Sequence, residues 1–161
     1  MTGVADQEPW KLDRIGSALV GTNPTVLARL PRSFAVIGDT QFLPGYCVLL
    51  SDDPSIDRLT ALPKRARLEF LESMDTLGAA IERVCSDLDR GFRRVNYEIL
   101  GNTDAYLHAH LFPRYEWEPA ERRGHPVWRY DPEVFYGADA ALGPQHDELR
   151  ARLADALDTG Q

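Results

Sequence analysis

The sequence predicts an α+β domain, a mainly antiparallel five-stranded sheet with helices packed on one face. Three observations carry that expectation. Five short runs rich in β-branched and apolar residues are bounded by Pro, Gly or polar turns. One long run after Pro63 repeats its apolar residues every three and four positions, and a final amphipathic run lies near the end of the chain.

Taken in order, residues 1–8 are expected to fray, and Trp10, Ile15, Ala18 and Leu19 give a partial stripe for a helix over 9–19. Residues 25–30 and 33–38, separated by Pro31 and Arg32, suggest a hairpin. Pro44 and Gly45 mark a turn, and the unbroken apolar run 46–50 fits a central strand. After the acidic connector SDDPSID comes the long helix, expected over 63–89. Leu68, Leu71, Met74, Leu77, Ile81, Val84, Cys85 and Leu88 line one face of it, Pro63 suits its first turn and Gly91 its stop.

Residues 92–100 alternate, with Val95, Tyr97 and Ile99 opposite Arg94, Asn96 and Glu98, as in a half-buried strand. Residues 101–104 are expected to form a tight polar turn into the fifth strand. Trp117, Pro119, Pro126, Trp128, Pro132 and Pro144 then mark an extended segment that wraps the domain, with a last helix over 144–157. The chain is thus expected to form one domain over 1–161, with a core of about residues 10–115 and a C-terminal extension over 116–161.

Composition narrows the function. No apolar run is long enough to cross a bilayer, and the N-terminal residues lack the apolar core of a signal peptide, so the cytoplasm is the expected location. A net charge of −7 argues against general affinity for nucleic acid or for an anionic membrane, which rests on clustered Lys and Arg. Cys47 and Cys85 stand far apart in apolar settings and read as buried free thiols.

The chemistry concentrates in 96–114, NYEILGNTDAYLHAHLFPR. Side chains of a strand alternate between faces, so Tyr106, His108, His110 and Phe112 share one face and Ala105, Leu107, Ala109 and Leu111 the other. The two imidazoles are then expected about 6–7 Å apart. A metal reading of the His-x-His pair needs further ligands, for which Glu116, His125 and His146 are poorly spaced, and no metal or cofactor is expected. In a covalent reading, one imidazole attacks phosphorus while its other nitrogen donates to a backbone carbonyl. The second imidazole, one pleat away, contacts phosphate oxygens or the leaving group. The turn holding Asn102 and Thr103 would add neutral donors.

These residues resemble the signature of the histidine-triad (HIT) superfamily of nucleotide hydrolases and transferases. There an Asn begins a strand, a Gly-Gln-Ser-like turn follows, and three alternating histidines precede Pro-Arg. Upstream, PGYCVLLSDDPSIDRLTALP looks like that family's Pro-Gly-His strand, connector and helix start, and IGSALVGTNPTVL like its opening helix and first strand. The resemblance covers about residues 15–114.

It implies that His108 is the nucleophile, His110 the third histidine of the triad, and Asn102 and Thr103 the pair contacting the α-phosphate. It also implies that Asn96 opens the signature, with the following loop one residue shorter. The first triad histidine is replaced by Tyr106 and the histidine of the Pro-Gly-His strand by Tyr46, and the resemblance places both tyrosines together behind the nucleophile. The family's ribose-binding Asp or Asn falls on Gly38, which makes the adjacent Asp39 the candidate acceptor for ribose hydroxyls. Arg114 is a candidate to assist phosphate. Trp117 and Trp128 are read as packing anchors.

The resemblance further implies a nucleotide substrate, a nucleotidyl-histidine intermediate like that of the diadenosine polyphosphate hydrolases, and a homodimer built on the long helix and the strand beginning at Phe92. A nucleotidyltransferase or phosphorylase with the same intermediate, and a nucleotide-binding protein without catalysis, are the alternatives.

Overall fold

The computed structural model describes residues 8–159; the fraying expected over 1–8 therefore falls almost wholly outside them. The chain opens with α1 (Pro9–Leu12) and α2 (Arg14–Leu19), followed by strands β1 (Val26–Leu30), β2 (Ser33–Ile37) and β3 (Cys47–Ser51). The long helix α3 (Lys64–Leu88) leads into β4 (Phe92–Glu98) and β5 (His108–Tyr115). Two short helices, α4 (Ala120–Arg123) and α5 (Pro132–Tyr136), punctuate the C-terminal segment before α6 (Asp147–Asp158).

The helix expected over 9–19 is broken in two. Asp13 leaves helical geometry at φ −142° and its carboxylate accepts from the Gly16 amide, which caps a new helix instead of continuing the old one.

The five strands form one antiparallel sheet in the order β1-β2-β3-β5-β4, which puts β5 between two partners and leaves β1 and β4 as edges. Arg32, at φ 59°, makes the left-handed residue of the tight β1–β2 hairpin. Alternation then sorts the side chains. Ala35, Ile37, Cys47, Leu49, Ala109 and Leu111 point to a core shared with Phe70, Leu77 and Ile81 of α3 and Leu153 and Leu157 of α6. Each fully buried aliphatic or aromatic side chain there is worth about 1.5–3 kcal/mol. Cys47 and Cys85 are buried free thiols in this layer.

The opposite face is covered at its two ends only. Ile15 and Ala18 of α2 pack on Phe34, Val36 and Leu50. At the other end Val127 and Phe135 of the C-terminal segment pack with Leu43, Tyr46 and Phe112. His108 and His110 lie between the two patches.

The tight turn expected at 101–104 is instead a loop over 99–107. It is lengthened because Leu107 is drawn away to the connector: its amide donates to the Ile56 carbonyl at 2.7 Å and its carbonyl accepts from Ser51 at 3.0 Å. The C-terminal segment does wrap the sheet. Gln41 donates to Ala140 and Leu142 to Asp39 across an isolated bridge between Thr40 and Ala141. The last helix begins at Asp147, after a single 3-10 turn from Pro144 to His146. Among the described residues, no helix is long and apolar enough to cross a membrane.

Candidate functional site

A cavity of about 700 Å³ opens over the uncovered middle of the sheet. His108 and His110 line its floor, Tyr46 and Tyr106 flank them, and Asn102 and Thr103 form part of its rim.

His108 sits at the start of β5 and is only 5% exposed. Its Nδ1 is 2.7 Å from the backbone carbonyl of Tyr106. A carbonyl can only accept, so Nδ1 carries the ring proton and Nε2 keeps the free lone pair. The tautomer is therefore set by the main chain two residues upstream, whatever side chain stands at 106.

His110 lies one pleat on, with ring centroids 4.8 Å apart and planes at 80°. This is closer than the 6–7 Å expected for parallel side chains, because the two rings lean together edge to face. Its Nδ1 is 2.7 Å from the Tyr46 hydroxyl. Burial, with the neighbouring His108, pulls the His110 pKa down to about 4, so the ring is neutral over the ordinary pH range.

The two tyrosines do not stand together behind the nucleophile. Tyr46 reaches His110 from β3's entry, whereas the half-buried Tyr106 lies beside His108, with ring centroids 5.1 Å apart, and packs toward the α2 patch. They serve different histidines because side chains 106 and 46 approach β5 from different ends.

Gly38 explains its own identity. A Cβ there would lie 2.2 Å from Cδ1 of Tyr46, so the aromatic ring at 46 excludes the acidic side chain that the resemblance placed at 38. Asp39 does line the cavity, but its carboxylate is already paired with Arg14, at 3.1 Å and 2.5 Å. Arg14 lines the same space, stacked 5.2 Å from the Trp10 ring.

Two expected site residues lie elsewhere. Asn96 pairs with Phe112 in the β4–β5 register and is not part of the cavity wall. Arg114 is 3% exposed and faces Glu118, with contacts of 2.9, 3.1 and 2.8 Å, and it also donates to the carbonyls of Arg122, Arg123 and His125. Tyr130 and the Tyr115 amide complete the bonds to Glu118. Arg114 is thus an anchor for the C-terminal segment, buried under it and outside the cavity wall where a phosphate would sit.

That anchored segment delivers residues the sequence did not single out for the site. Trp128 lines the cavity, with its ring centroid 5.1 Å from that of His110, and its indole N–H donates to Glu98. Phe135 stacks on Trp128 at 5.4 Å and lines the cavity as well. Trp117 and Trp128 were expected chiefly to pack, with closure of the C-terminal segment over a nucleotide as the lesser reading. Trp117 does pack, stacked on Tyr115 at 4.8 Å and donating to Asp89. No local pattern could have placed Trp128, since its position depends on a buried ion pair made 14 residues earlier. Gln41, 3% exposed, is a further missed residue: its amide bonds the carbonyls of Gly38 and Tyr46 and the amide of Gly45, closing the loop that carries Tyr46.

Among the described residues, no third His, Cys, Asp or Glu joins the two histidines in a metal-holding group. Glu116 is bound to Arg93 and Arg123, and Nδ1 of His146 accepts from the Gly143 amide.

No protein-family model and no curated protein matches the chain. Solved structures do. A histidine triad protein from Marinobacter aquaeolei VT8 superposes with a TM-score of 0.64 at 22% identity, over 83% of this chain and 88% of that one. One from Sinorhizobium meliloti 1021 gives 0.65 at 19% identity, over 81% and 87%. A hypothetical histidine triad nucleotide-binding protein from Sulfolobus tokodaii gives 0.62 at 11% identity, over 90% and 91%. The fold is that of the histidine triad proteins.

Proposed function

We propose that the chain is a nucleotide-processing enzyme of the histidine triad kind, a hydrolase resembling those that cleave diadenosine polyphosphates or nucleoside phosphoramidates. The observation that carries this reading is the bond from His108 Nδ1 to the Tyr106 carbonyl, which leaves Nε2 as a nucleophile at the floor of a nucleotide-sized cavity.

In the proposed reaction the Nε2 lone pair forms a bond to the α-phosphorus as the bond from phosphorus to the leaving group breaks, and the leaving group keeps that electron pair and takes a proton from solvent. Water then attacks phosphorus and gives up a proton to solvent, the electron pair of the P–N bond returns to Nε2, and the nucleoside monophosphate leaves with His108 restored. His110, Asn102 and Thr103 hold phosphoryl oxygens with neutral donors. Asp39 and Arg14 together form the polar end of the cavity, where ribose hydroxyls would bond to the carboxylate.

The test is turnover of diadenosine polyphosphates and adenosine phosphoramidate by the protein and by His108→Ala. A loss of several powers of ten is expected. Equal turnover by the variant would overturn the reading.

The aromatic wall of Trp128 and Phe135 beside His110 favours one other acceptor reading, because apolar cover reduces the water next to a nucleotidyl-histidine. In that reading the same intermediate passes to phosphate or a sugar phosphate. Products formed with and without inorganic phosphate separate the two. Assembly as a homodimer through α3 and β4 belongs to the same proposal. It is supported by β4 being an edge strand with Tyr97 43% exposed, and a sedimentation mass of 18.1 kDa would refute it.

A further inference from the structure

Tyr46 stands where the resemblance expects a histidine, and it is held there from every side. Its carbonyl accepts from the Gly38 amide and the Gln41 side chain, both at 2.9 Å. Its ring lies flat on Phe112, with centroids 4.0 Å apart and planes at 5°, and its other approach is filled by the backbone of Gly38. The side chain is 6% exposed, and the only hydrogen-bond partner of its hydroxyl among the described residues is Nδ1 of His110.

We propose that Tyr46 is a positioning residue that locks His110 in the tautomer opposite to that of His108, with the ring proton on Nε2. The direction of the bond decides this. If Nδ1 of His110 donated to the phenol, the buried O–H would be left without an acceptor; if the phenol donates, both groups are satisfied. Burial also pushes the Tyr46 pKa far up, so the phenol keeps the proton it donates.

The two imidazoles on one strand then differ in kind. His108 presents a lone pair and His110 an N–H, each fixed by its own partner on Nδ1, a carbonyl for one and a phenol for the other. Other ionisable groups around the cavity leave this arrangement alone. Glu98 lies opposite His110 in the register but accepts from the Trp128 indole, and Asp39 is paired with Arg14. Asp104, Tyr106 and Tyr136 line the cavity without bonding to His110. The use of the Nε2–H, donation to a phosphoryl oxygen, rests on the proposed function; the tautomer does not.

The experiment is a long-range proton–nitrogen spectrum of the protein labelled with nitrogen-15 in its histidine rings, with signals assigned by His108→Gln and His110→Gln. At neutral pH the expected pattern is Nδ1–H for His108 and Nε2–H for His110. In Tyr46→Phe, which keeps the ring on Phe112, the His110 signals should move to averaged tautomers. The titration midpoint should also rise above the parent's, because the lost phenol bond favoured the neutral ring, while burial and His108 still hold it below the ordinary range. Tyr46→His, which restores a donor, should return the Nε2–H pattern. An Nδ1–H pattern for His110 in the parent protein overturns the inference whether or not any variant folds. So does a Tyr46→Phe spectrum and midpoint equal to the parent's. A protein with the expected spectrum but no nucleotide turnover would refute the proposed function and leave the tautomer assignment standing.

Discussion

Arg114→Ala would remove the guanidinium that ties the C-terminal segment to the sheet, and its cost can be worked from the contacts. Glu118 is 3% exposed and would remain as a buried carboxylate with only Tyr130 and the Tyr115 amide as donors. Breaking a buried pair from one side costs about 3–5 kcal/mol, and the two surviving donors place this case near the lower end. With a urea slope of roughly 2 kcal/mol per molar for a chain of this size, the unfolding midpoint should fall by about 1.5 M. The carbonyls of Arg122, Arg123 and His125 also lose their donor, so the stretch leading to Trp128 loosens. The double variant Arg114→Met with Glu118→Leu should recover part of the loss, because no unpaired carboxylate stays buried, while the Tyr115 amide and the three carbonyls remain without their partners. A midpoint shift below about 0.3 M, or a double variant no better than the single one, would refute this account of the anchor. If instead Arg114 bound phosphate, Arg114→Ala would raise KM with little change in stability.

Three further outcomes are expected. Gly38→Ala sets a Cβ against the Tyr46 ring and should destabilise the protein by about 1–3 kcal/mol in urea unfolding while lowering kcat. Tyr106→Phe should keep kcat within about threefold of the parent, since the bond to His108 comes from the backbone carbonyl; a loss of several powers of ten would show that the phenol takes part. Stability should fall with acid between about pH 6.5 and 4. His110 is neutral in the fold and protonated in the unfolded chain over that window, so the unfolded state binds more protons and gains as pH drops. The full effect is about 3 kcal/mol at the acid end, and His110→Gln should flatten it in urea midpoints measured across the window.

The features legible in the sequence were local. The alternation around His108 and His110 put them on one face, the long apolar period found α3, and the position of the tyrosines in the motif marked them as departures. The antiparallel five-stranded sheet was expected too, but not its order, in which β3 pairs with β5 and β4 stands at the edge. The features that could not be read depended on contacts between distant segments. Asp13 breaks the first helix because its carboxylate caps the second, a choice between two local states that periodicity cannot see. The loop over 99–107 runs long because Leu107 is bonded to the connector before α3.

Arg114 follows a Pro in a strand and read as a candidate to assist phosphate, but Glu118 and three carbonyls meet it below the C-terminal segment. Trp128 reaches His110 only because that segment is tied there. The pairing of Arg14 with Asp39, 25 positions apart, is equally invisible in either residue's neighbourhood. The replacement of the first triad histidine also weighs less than the motif suggested. The group that fixes the His108 tautomer is a peptide carbonyl, which every residue type supplies.

The central claim is that His108 Nε2 becomes bonded to phosphorus. It is tested most directly by acid-quenching or denaturing the protein within a turnover of adenosine phosphoramidate and measuring its intact mass and the modified peptide. The account requires one nucleotidyl group per chain, on His108, absent from His108→Ala and lost on further incubation in water. Turnover with no adduct at any time, or an adduct on another residue, would contradict it.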